Sequence, residues 1–371
     1  MNLLQINSYS VASGLYKNLY RELDRKNINQ NIFIPVQNVS NKGNNFIDLK
    51  NGDILYKNTF NTLDRILYFT KINKSYKALK ENINMNKIDV AHAHSLFVNG
   101  GITNKLYKEY NINFITAVRN TDLNLFFGKM IHLRKKGLEI LKNSSKIIFI
   151  SPAYKKRLIS KYIPKELQSE IGKKAVVIPN GVNDYWLENI NFTKRNIDNH
   201  ISLIYAGRID KNKNVLNICK VVQKLNESGY NNNLKIIGKG PEKETIEEYI
   251  KNFDYIRLLD YMPKEELLEN YRNSDIFIMP SYNETFGLVY IEAMSQGLPI
   301  IYTHNEGVDG YFDEGSVGYA VNPDDIDDMV EKIKLITDNY LEMSENAVRE
   351  TQRFSWDKVS DQYIEIYKQI K

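Results

Sequence analysis

"DIFIMPSYNETFGLVYIEAMSQGLPII", residues 275–301, changes its period twice. Asp275 opens a short apolar run through Met279, with the branched and aromatic side chains of a buried strand. "SYNETFG" is polar and ends on Gly287. From Leu288 the apolar positions recur at helical spacing, and Gly297, with Pro299 just beyond, closes the helix. Another apolar run then begins. A strand, a loop, a helix and a second strand make the repeating unit of a parallel α/β sheet.

The same stretch places two carboxylates around one helix start. Glu284 falls in the loop at the strand's carboxyl end, and Glu292 lies between one and two turns into the helix. Gly287 permits a ligand to approach the backbone closely. The N–H groups that begin the helix, near Leu288, suit an anion such as a diphosphate. A carboxylate on either side of that anion can accept hydrogen bonds from hydroxyls. The pattern therefore describes a diphosphate flanked by two polyols, as in a nucleotide sugar.

Outward from this unit the same alternation covers the chain. Strands are expected at "NLLQIN", "NIFIPV", "DVAHAH", "NFITAV", "KIIFIS" and "AVVIPN" in the first half, and at "ISLIYAG", "NLKIIG", "YIRLLD", "DIFIMP", "PIIYTH" and "GYAVNP" in the second. Amphipathic stretches such as "GLYKNLYRELDRKN" and "NVLNICKVVQKLNES" lie between them. Residues 179–200 are polar, rich in Asn and without a sustained period, which marks a boundary. The expected architecture is two doubly wound domains facing across a cleft, 1–182 and 183–355. A terminal helix, 356–371, packs back on the first. Such sheets bind ligands at the carboxyl ends of their strands.

Composition sets further bounds. With 42% hydrophobic and 26% charged residues, the 371-residue chain reads as globular rather than disordered. "MNLLQINSYS" is too short and polar for a signal peptide, and no apolar run approaches the roughly 20 residues of a spanning helix. One cysteine, Cys219, excludes a disulfide framework and a cysteine-based metal site, so a reducing, cytoplasmic location is expected. The net charge of +5 hides an asymmetry: residues 1–185 hold 29 basic and 13 acidic side chains, and 186–371 hold 21 and 32. Either two solvated surfaces have drifted apart in charge, or the first half meets something anionic, such as a membrane surface, a lipid phosphate or a nucleic acid.

"YAGRIDKNKN", "IIGKGPEKE", "NSDIFIMPSYNETFGLVYIEAMSQGLPII" and "VGYAVNPDD" together resemble the donor-binding half of glycosyltransferase family 4, retaining enzymes of the GT-B fold. The likeness covers residues 201–356 and, more loosely, the first half. It implies that Glu284 contacts the donor sugar's hydroxyls and Glu292 the nucleotide's ribose. Phe286, Gly287 and Leu288 would offer backbone N–H groups to sugar and phosphate, and Arg208 and Lys213 would hold the diphosphate. The spacing agrees on the last pair. "ISLIYAG" is a strand, so Arg208 stands at its carboxyl end and Lys213 in the loop beyond, where fixed cations can stabilise charge on a leaving phosphate.

Weaker signals keep simpler explanations beside them. "GKG", Gly238 to Gly240, lacks the rest of a phosphate-binding fingerprint; the resemblance assigns it to the nucleotide pocket. The family often has glycine where this chain has Asp260. "DDIDD", residues 324–328, contains a D-x-D, but it opens a helix, where acidic residues cap N–H groups; no metal is expected. Gly14, in a Ser13–Gly14 pair where relatives carry two glycines, lies at the first strand–helix turn and could admit a donor phosphate or an acceptor. His92 and His94 share one face near a strand end, either as a metal pair or, better, as packed or acceptor-contacting side chains. Arg119, Asn120 and Asp122 end another strand. Relatives often have histidine near Arg119, and Asp122 is either an acceptor contact or a helix cap. Lys129, Arg134, Lys135, Lys136, Lys155, Lys156 and Arg157 fall in two amphipathic stretches, either solvated or lying at a membrane surface.

These features point to a retaining glycosyltransferase. It would move a hexosyl or N-acetylhexosaminyl group from a UDP- or GDP-type sugar, a co-substrate rather than a cofactor, to a hydroxyl. The catalytic group would be Arg208, Lys213 and Glu284. The donor site adds Gly14, Gly240, Phe286, Gly287, Leu288 and Glu292, and the acceptor side holds His94, Arg119 and Asp122. A saccharide or lipid-linked acceptor in bacterial surface polysaccharide or glycolipid synthesis is expected, at the inner face of the cell membrane and with no nucleic acid partner. The alternatives are a nucleotide-sugar epimerase, a phosphorylase-like enzyme on a similar scaffold, and a non-catalytic nucleotide-sugar-binding subunit.

Overall fold

The computed structural model describes residues 1–37, 45–65, 67–192, 197 and 200–371. Seven strands form the first sheet: β1 (Asn2–Ile6), β2 (Asn29–Val36), β3 (Gly52–Asn58), β4 (Val90–Ala93), β5 (Phe114–Val118), β6 (Lys146–Phe149) and β7 (Ala175–Val177). Their spatial order is 3-2-1-4-5-6-7, and each pairing is parallel. Six strands form the second: β8 (Ser202–Ala206), β9 (Asn233–Ile237), β10 (Ile256–Leu259), β11 (Ile276–Ile278), β12 (Ile300–Thr303) and β13 (Gly318–Val321). Their order is 10-9-8-11-12-13, again parallel throughout.

Each sheet reverses its winding once, between β1 and β4 and between β8 and β11. At such a switch point the loops leaving neighbouring strands part toward opposite faces and leave a crevice at the carboxyl ends. The chain folds as two compact units. Met1–Ile150, Lys155–Gly181 and Trp356–Lys371 form one; Ser151–Tyr154 and Val182–Ser355 form the other.

The terminal helix, Trp356–Ile370, belongs to the first unit. It buries Trp356, Val359, Tyr363 and Tyr367 in a core shared with Leu3, Leu23, Val90 and Ile115. The Tyr367 hydroxyl lies 2.7 Å from His92 Nδ1, so helix and sheet share one buried polar contact. Gly181 packs closely against the start of the helix. A Cβ there would lie 2.4 Å from the Trp356 ring.

β3, "GDILYKN", has no counterpart among the strands expected from sequence. It is the edge of the first sheet and mostly only partly buried, with Asp53 and Lys57 among its apolar residues, which blurs the strand pattern. Residues 179–200, expected to be an irregular boundary, contain a short helix, Asp184–Glu188. Asn183 caps it and Trp186 buries its apolar face. Residues 193–196 and 198–199 of that stretch lie outside the described residues. "DDIDD" caps a helix, as its position suggested: Asp325 Oδ1 accepts the Asp328 N–H at 3.0 Å, and Asp328 Oδ2 accepts the Asn322 N–H at 3.1 Å. Cys219 is buried in the Val215–Glu227 helix, where desolvation pushes its thiol up to about 12 and leaves it inert.

Candidate active site

The loop leaving β8 is shaped to turn one lysine inward. The Tyr205 hydroxyl donates to the Arg208 carbonyl at 2.6 Å. Asp210 Oδ1 accepts the Lys213 N–H at 3.1 Å and so caps a single 3-10 turn, Lys211–Lys213. Asn214 then takes the left-handed conformation (φ 57°) and starts the next helix. The result is an ammonium, Lys213 Nζ, 2.5 Å from Glu284 Oε2 and 3.7 Å from Met279 Sδ. The two charged side chains are only 19% and 14% exposed, so this is not a solvated surface pair. Arg208 differs: it is 70% exposed, and its Nε lies 3.2 Å from Asp210 Oδ2.

Glu284 is fixed from several sides. Its N–H donates to Glu306 Oε2 at 2.9 Å, its carbonyl accepts the Gly307 N–H at 2.7 Å, and its Oε1 accepts the Thr285 N–H at 3.0 Å. Gly287, before the Leu288–Met294 helix, has φ +79°, and a Cβ there would lie 2.5 Å from the Tyr290 ring. Glycine is required on both counts. Tyr290 in turn donates to the Met279 carbonyl at 2.6 Å. Phe286 points into the core, packed near Tyr311 and Phe354, so only its backbone is available to a ligand.

The "GKG" turn has a structural origin. A Cβ on Gly238 would lie 1.8 Å from the Gly207 carbonyl oxygen, and one on Gly240 would lie 2.1 Å from that of Ile209. Both glycines therefore let the loops leaving β8 and β9 run in contact, with Ile209 N–H donating to Lys239 O at 3.0 Å.

Against these loops lies a cavity of about 660 Å³. Gly207, Arg208, Lys213, Gly238 and Gly240 line it, together with Glu292 and an apolar group formed by Met262, Leu267, Met279 and Val289. Tyr261 adds a 72% exposed ring, with Lys239 Nζ 5.5 Å from its centroid. Asp260 is turned outward onto Lys243 at 2.6 Å and takes no part. A mostly apolar cleft with a few converging polar groups is the usual form of a small-molecule site. Of the residues expected to bind donor, the cavity brings together Arg208, Lys213, Gly240 and Glu292. Glu284 joins through Lys213.

Glu292 is the anomalous carboxyl. Burial pushes it up to about 7, against a smaller opposing contribution from a hydrogen bond with the Trp186 side chain. The Trp186 and Tyr271 rings lie 5.6 Å apart beside it, and the buried Tyr271 hydroxyl has no partner among the described residues.

The other candidates lie in the first unit, at the carboxyl ends of β1, β4 and β5. Gly14 has an ordinary helical φ of −69°, so its backbone does not demand glycine. His92 and His94 are fully buried and stacked 3.8 Å apart, and burial holds both imidazoles well below their ordinary range. They form a packed neutral pair. His94 Nε2 lies 2.8 Å from Gln5 Oε1, which makes it the donor. Asp122 is 1% exposed, and its oxygens accept three main-chain N–H groups, from Leu96 (3.0 Å), Phe97 (3.1 Å) and Arg119 (2.9 Å). It ties the main chains of Leu96, Phe97 and Arg119 together and so positions the loops around Arg119. Burial still raises its carboxyl to about 6.

Sequence reasoning overlooked Glu306, Trp186 and Tyr271. Glu306 lies 22 residues from the amide it holds, and no local pattern links the two.

Comparison with known proteins bears on the whole chain. A family model described as glycosyltransferase family 4 matches residues 16–185, and one described as glycosyl transferases group 1 matches residues 188–354. An uncharacterised glycosyltransferase of Methanocaldococcus jannaschii is 27% identical over 309 residues, 80% of each chain. Among solved structures, the lipopolysaccharide outer core galactosyltransferase WaaB in its apo form superposes with a TM-score of 0.76 at 16% identity, covering 100% of both chains. Anabaena HepE in complex with UDP and glucose gives 0.67 at 14% identity, also covering 100% of both. At these identities the structural likenesses establish the GT-B fold.

The raised Glu292 carboxyl sets a stability dependence on pH. The folded chain keeps this proton to about pH 7, whereas the unfolded chain releases it near the ordinary value of 4.5. Folding therefore takes up a proton in that window, and stability falls as pH rises through it. Glu292→Gln should be close to wild type at pH 4.5 and more stable by about 1–3 kcal/mol at pH 8. Urea denaturation at both pH values checks this; a difference that does not grow with pH contradicts it.

Proposed function

The chain belongs to the glycosyltransferases of the family 4 type, enzymes of the GT-B fold that use nucleotide sugars as co-substrates, and within that family we propose that it is a retaining enzyme whose donor binds in the cavity beside Lys213 and Glu284. The observation that carries this reading is the largely buried Lys213–Glu284 pair at the β8/β11 switch point, on the wall of an apolar cleft. The base would lie against Tyr261, Met262 and Leu267. The ribose hydroxyls would donate to Glu292, and the diphosphate would lie along Gly207 and Arg208. An arriving diphosphate competes with Glu284 for the Lys213 ammonium and frees the carboxylate to accept a sugar hydroxyl. As the bond from the anomeric carbon to the diphosphate oxygen breaks, Lys213 and Arg208 stabilise the charge left on the phosphate. The acceptor oxygen attacks from the same face, and its proton passes to the departing phosphate oxygen. A covalent route would need a carboxylate nucleophile at the anomeric carbon, and in this reading Glu284 is directed to a sugar hydroxyl instead.

The acceptor is proposed to be lipid-linked, met at an anionic membrane surface during synthesis of a bacterial surface glycan. No helix among the described residues is long and apolar enough to cross a membrane. In the first unit, however, Leu63, Leu67, Phe69, Leu125 and Ile131 are 42–71% exposed. Tyr68, whose ring lies 5.1 Å from Phe69 and 6.1 Å from Phe126, joins the two segments that carry them. Lys129 and Lys135 are exposed close by in sequence. Other cations of these stretches are committed to the protein: Arg134 donates to Phe127 O (2.7 Å), Lys136 to Glu139 (2.9 Å) and Lys155 to Ala175 O (3.0 Å). The membrane contact thus rests on an apolar ridge with few cations more than on a basic helix face. The lipopolysaccharide acceptor named for WaaB is consistent with such a substrate.

Two measurements test these proposals. A panel of UDP- and GDP-sugars, read by thermal shift and by diphosphate release, should identify a donor. With that donor, Lys213→Ala should lower turnover by about 10²–10³-fold, the scale for losing one preorganised charge-stabilising group; near-normal turnover removes Lys213 from the chemistry. In vesicle co-sedimentation, binding should favour anionic lipid, weaken as salt rises toward a screening length of about 8 Å, and fall in a Leu125→Ser/Ile131→Ser variant. No binding to anionic or neutral vesicles leaves a soluble acceptor.

A further inference from the structure

Arg119 stands at the carboxyl end of β5 and carries a charge that no direct ion pair among the described residues meets, the Asp122 carboxylate acting on it only from nearby. Its Nε donates to the His94 carbonyl at 3.1 Å, its guanidinium lies 5.8 Å from the centroid of the Tyr16 ring, and the Tyr363 hydroxyl is a further hydrogen-bond partner. The side chain is partly buried. Among the described residues no carboxylate lies within ion-pair distance of it. Asp122 is the nearby acid, yet both its oxygens are occupied by the N–H groups of Leu96, Phe97 and Arg119 itself. The remaining neighbours are uncharged. His92 and His94 are held neutral by burial and by Arg119, and the others are the phenols of Tyr9, Tyr16 and Tyr363.

A permanent cation half withdrawn from water, whose one nearby acid makes no direct ion pair with it and is held by backbone N–H groups, gains from an anion that meets it directly. The His94 ring packs edge-on against Tyr16, the ring beneath Arg119, at 5.1 Å. With Nε directed to His94 and the guanidinium also bonded to Tyr363, the remaining terminal N–H groups are donors of the kind that hold a carboxylate or phosphate through charge-assisted hydrogen bonds.

We propose that Arg119, backed by Tyr16 and Tyr363, forms an oxyanion subsite that recognises a carboxylate or phosphate carried by one of the enzyme's two substrates. The proposal rests on the assignment of the chain as a sugar transferase and narrows its substrates to an acidic sugar or a phosphorylated acceptor. Arg119 acts here as a specificity determinant, and Asp122, through the Arg119 main chain, as the residue that positions it.

The test uses the full-length protein labelled with ¹³C in its histidine rings. Inorganic phosphate and free glucuronate are titrated into wild type, Arg119→Gln and Arg119→Lys, with the His94 resonance as reporter. Both anions should shift it in wild type, weakly in Arg119→Lys and not in Arg119→Gln. Calorimetry then separates the sources. An affinity loss of about 10-fold or more, the scale of a lost charge-assisted hydrogen bond, in Arg119→Gln for UDP-glucuronate but not UDP-glucose places the anion on the donor. The same loss for glucose 6-phosphate but not glucose places it on the acceptor. UDP affinity should be equal in all three proteins. Failure of UDP to bind wild type would defeat the donor-site assignment, whatever the anions do. If UDP binds, but phosphate and glucuronate leave His94 unmoved in wild type or move it equally in Arg119→Gln, the oxyanion subsite is overturned.

Discussion

Lys213 and Glu284 lie 71 residues apart in the chain and 2.5 Å apart in the fold. One follows β8 and the other β11, the two strands between which the second sheet reverses its winding. A crevice at such a reversal is a consequence of topology alone; what fills it with usable chemistry is this pair. A largely buried ion pair is unfavourable unless its geometry is good and its remaining groups are satisfied. The surrounding structure meets both conditions. Asp210 and the left-handed Asn214 aim the lysine, while Glu306, Gly307 and the amide of Thr285 fix the glutamate.

The two carboxyls of the opening motif are thereby given different characters. Glu284 is matched to a cation and ready to exchange it for a ligand. Glu292 has no cation, lies against Trp186 and Tyr271, and is pushed up to about 7 by burial. Hydroxyl donors from a bound ribose would favour its ionised form, so ligand binding and proton release become linked at this residue. A carboxyl strongly perturbed by burial on the wall of a cleft, as Glu292 is, is a recurrent feature of functional sites. The first unit shows the complementary case in Arg119, a cation whose potential partner, Asp122, is already occupied by backbone.

Two doubly wound sheets, twelve of their strands and the carboxyl-end placement of Arg208, Lys213 and Glu284 were legible in the sequence, because strand and helix periods are local signals. The helix cap in "DDIDD" was legible for the same reason. The edge strand β3 was not, since it is mostly only partly buried and carries Asp53 and Lys57 among its apolar residues. The glycines at 238 and 240 were visible, but their physical cause was hidden: they make room for the carbonyls of Gly207 and Ile209, 31 residues away in each case. Glu306, Trp186, Tyr16 and Tyr363 carry no local mark of their role. Each meets its partner only through tertiary structure, and the terminal helix brings Tyr363 to Arg119 from the far end of the chain.

Hydrogen–deuterium exchange of the free protein, with and without saturating UDP or GDP, addresses the central claim most directly, because it reports where a nucleotide settles without requiring the acceptor. Protection is predicted in the backbone of residues 206–213, 238–240 and 284–292, the loops that carry the cavity and the Lys213–Glu284 pair. Protection by neither nucleotide in these segments, or protection confined to other parts of the chain, would contradict the placement of the donor site.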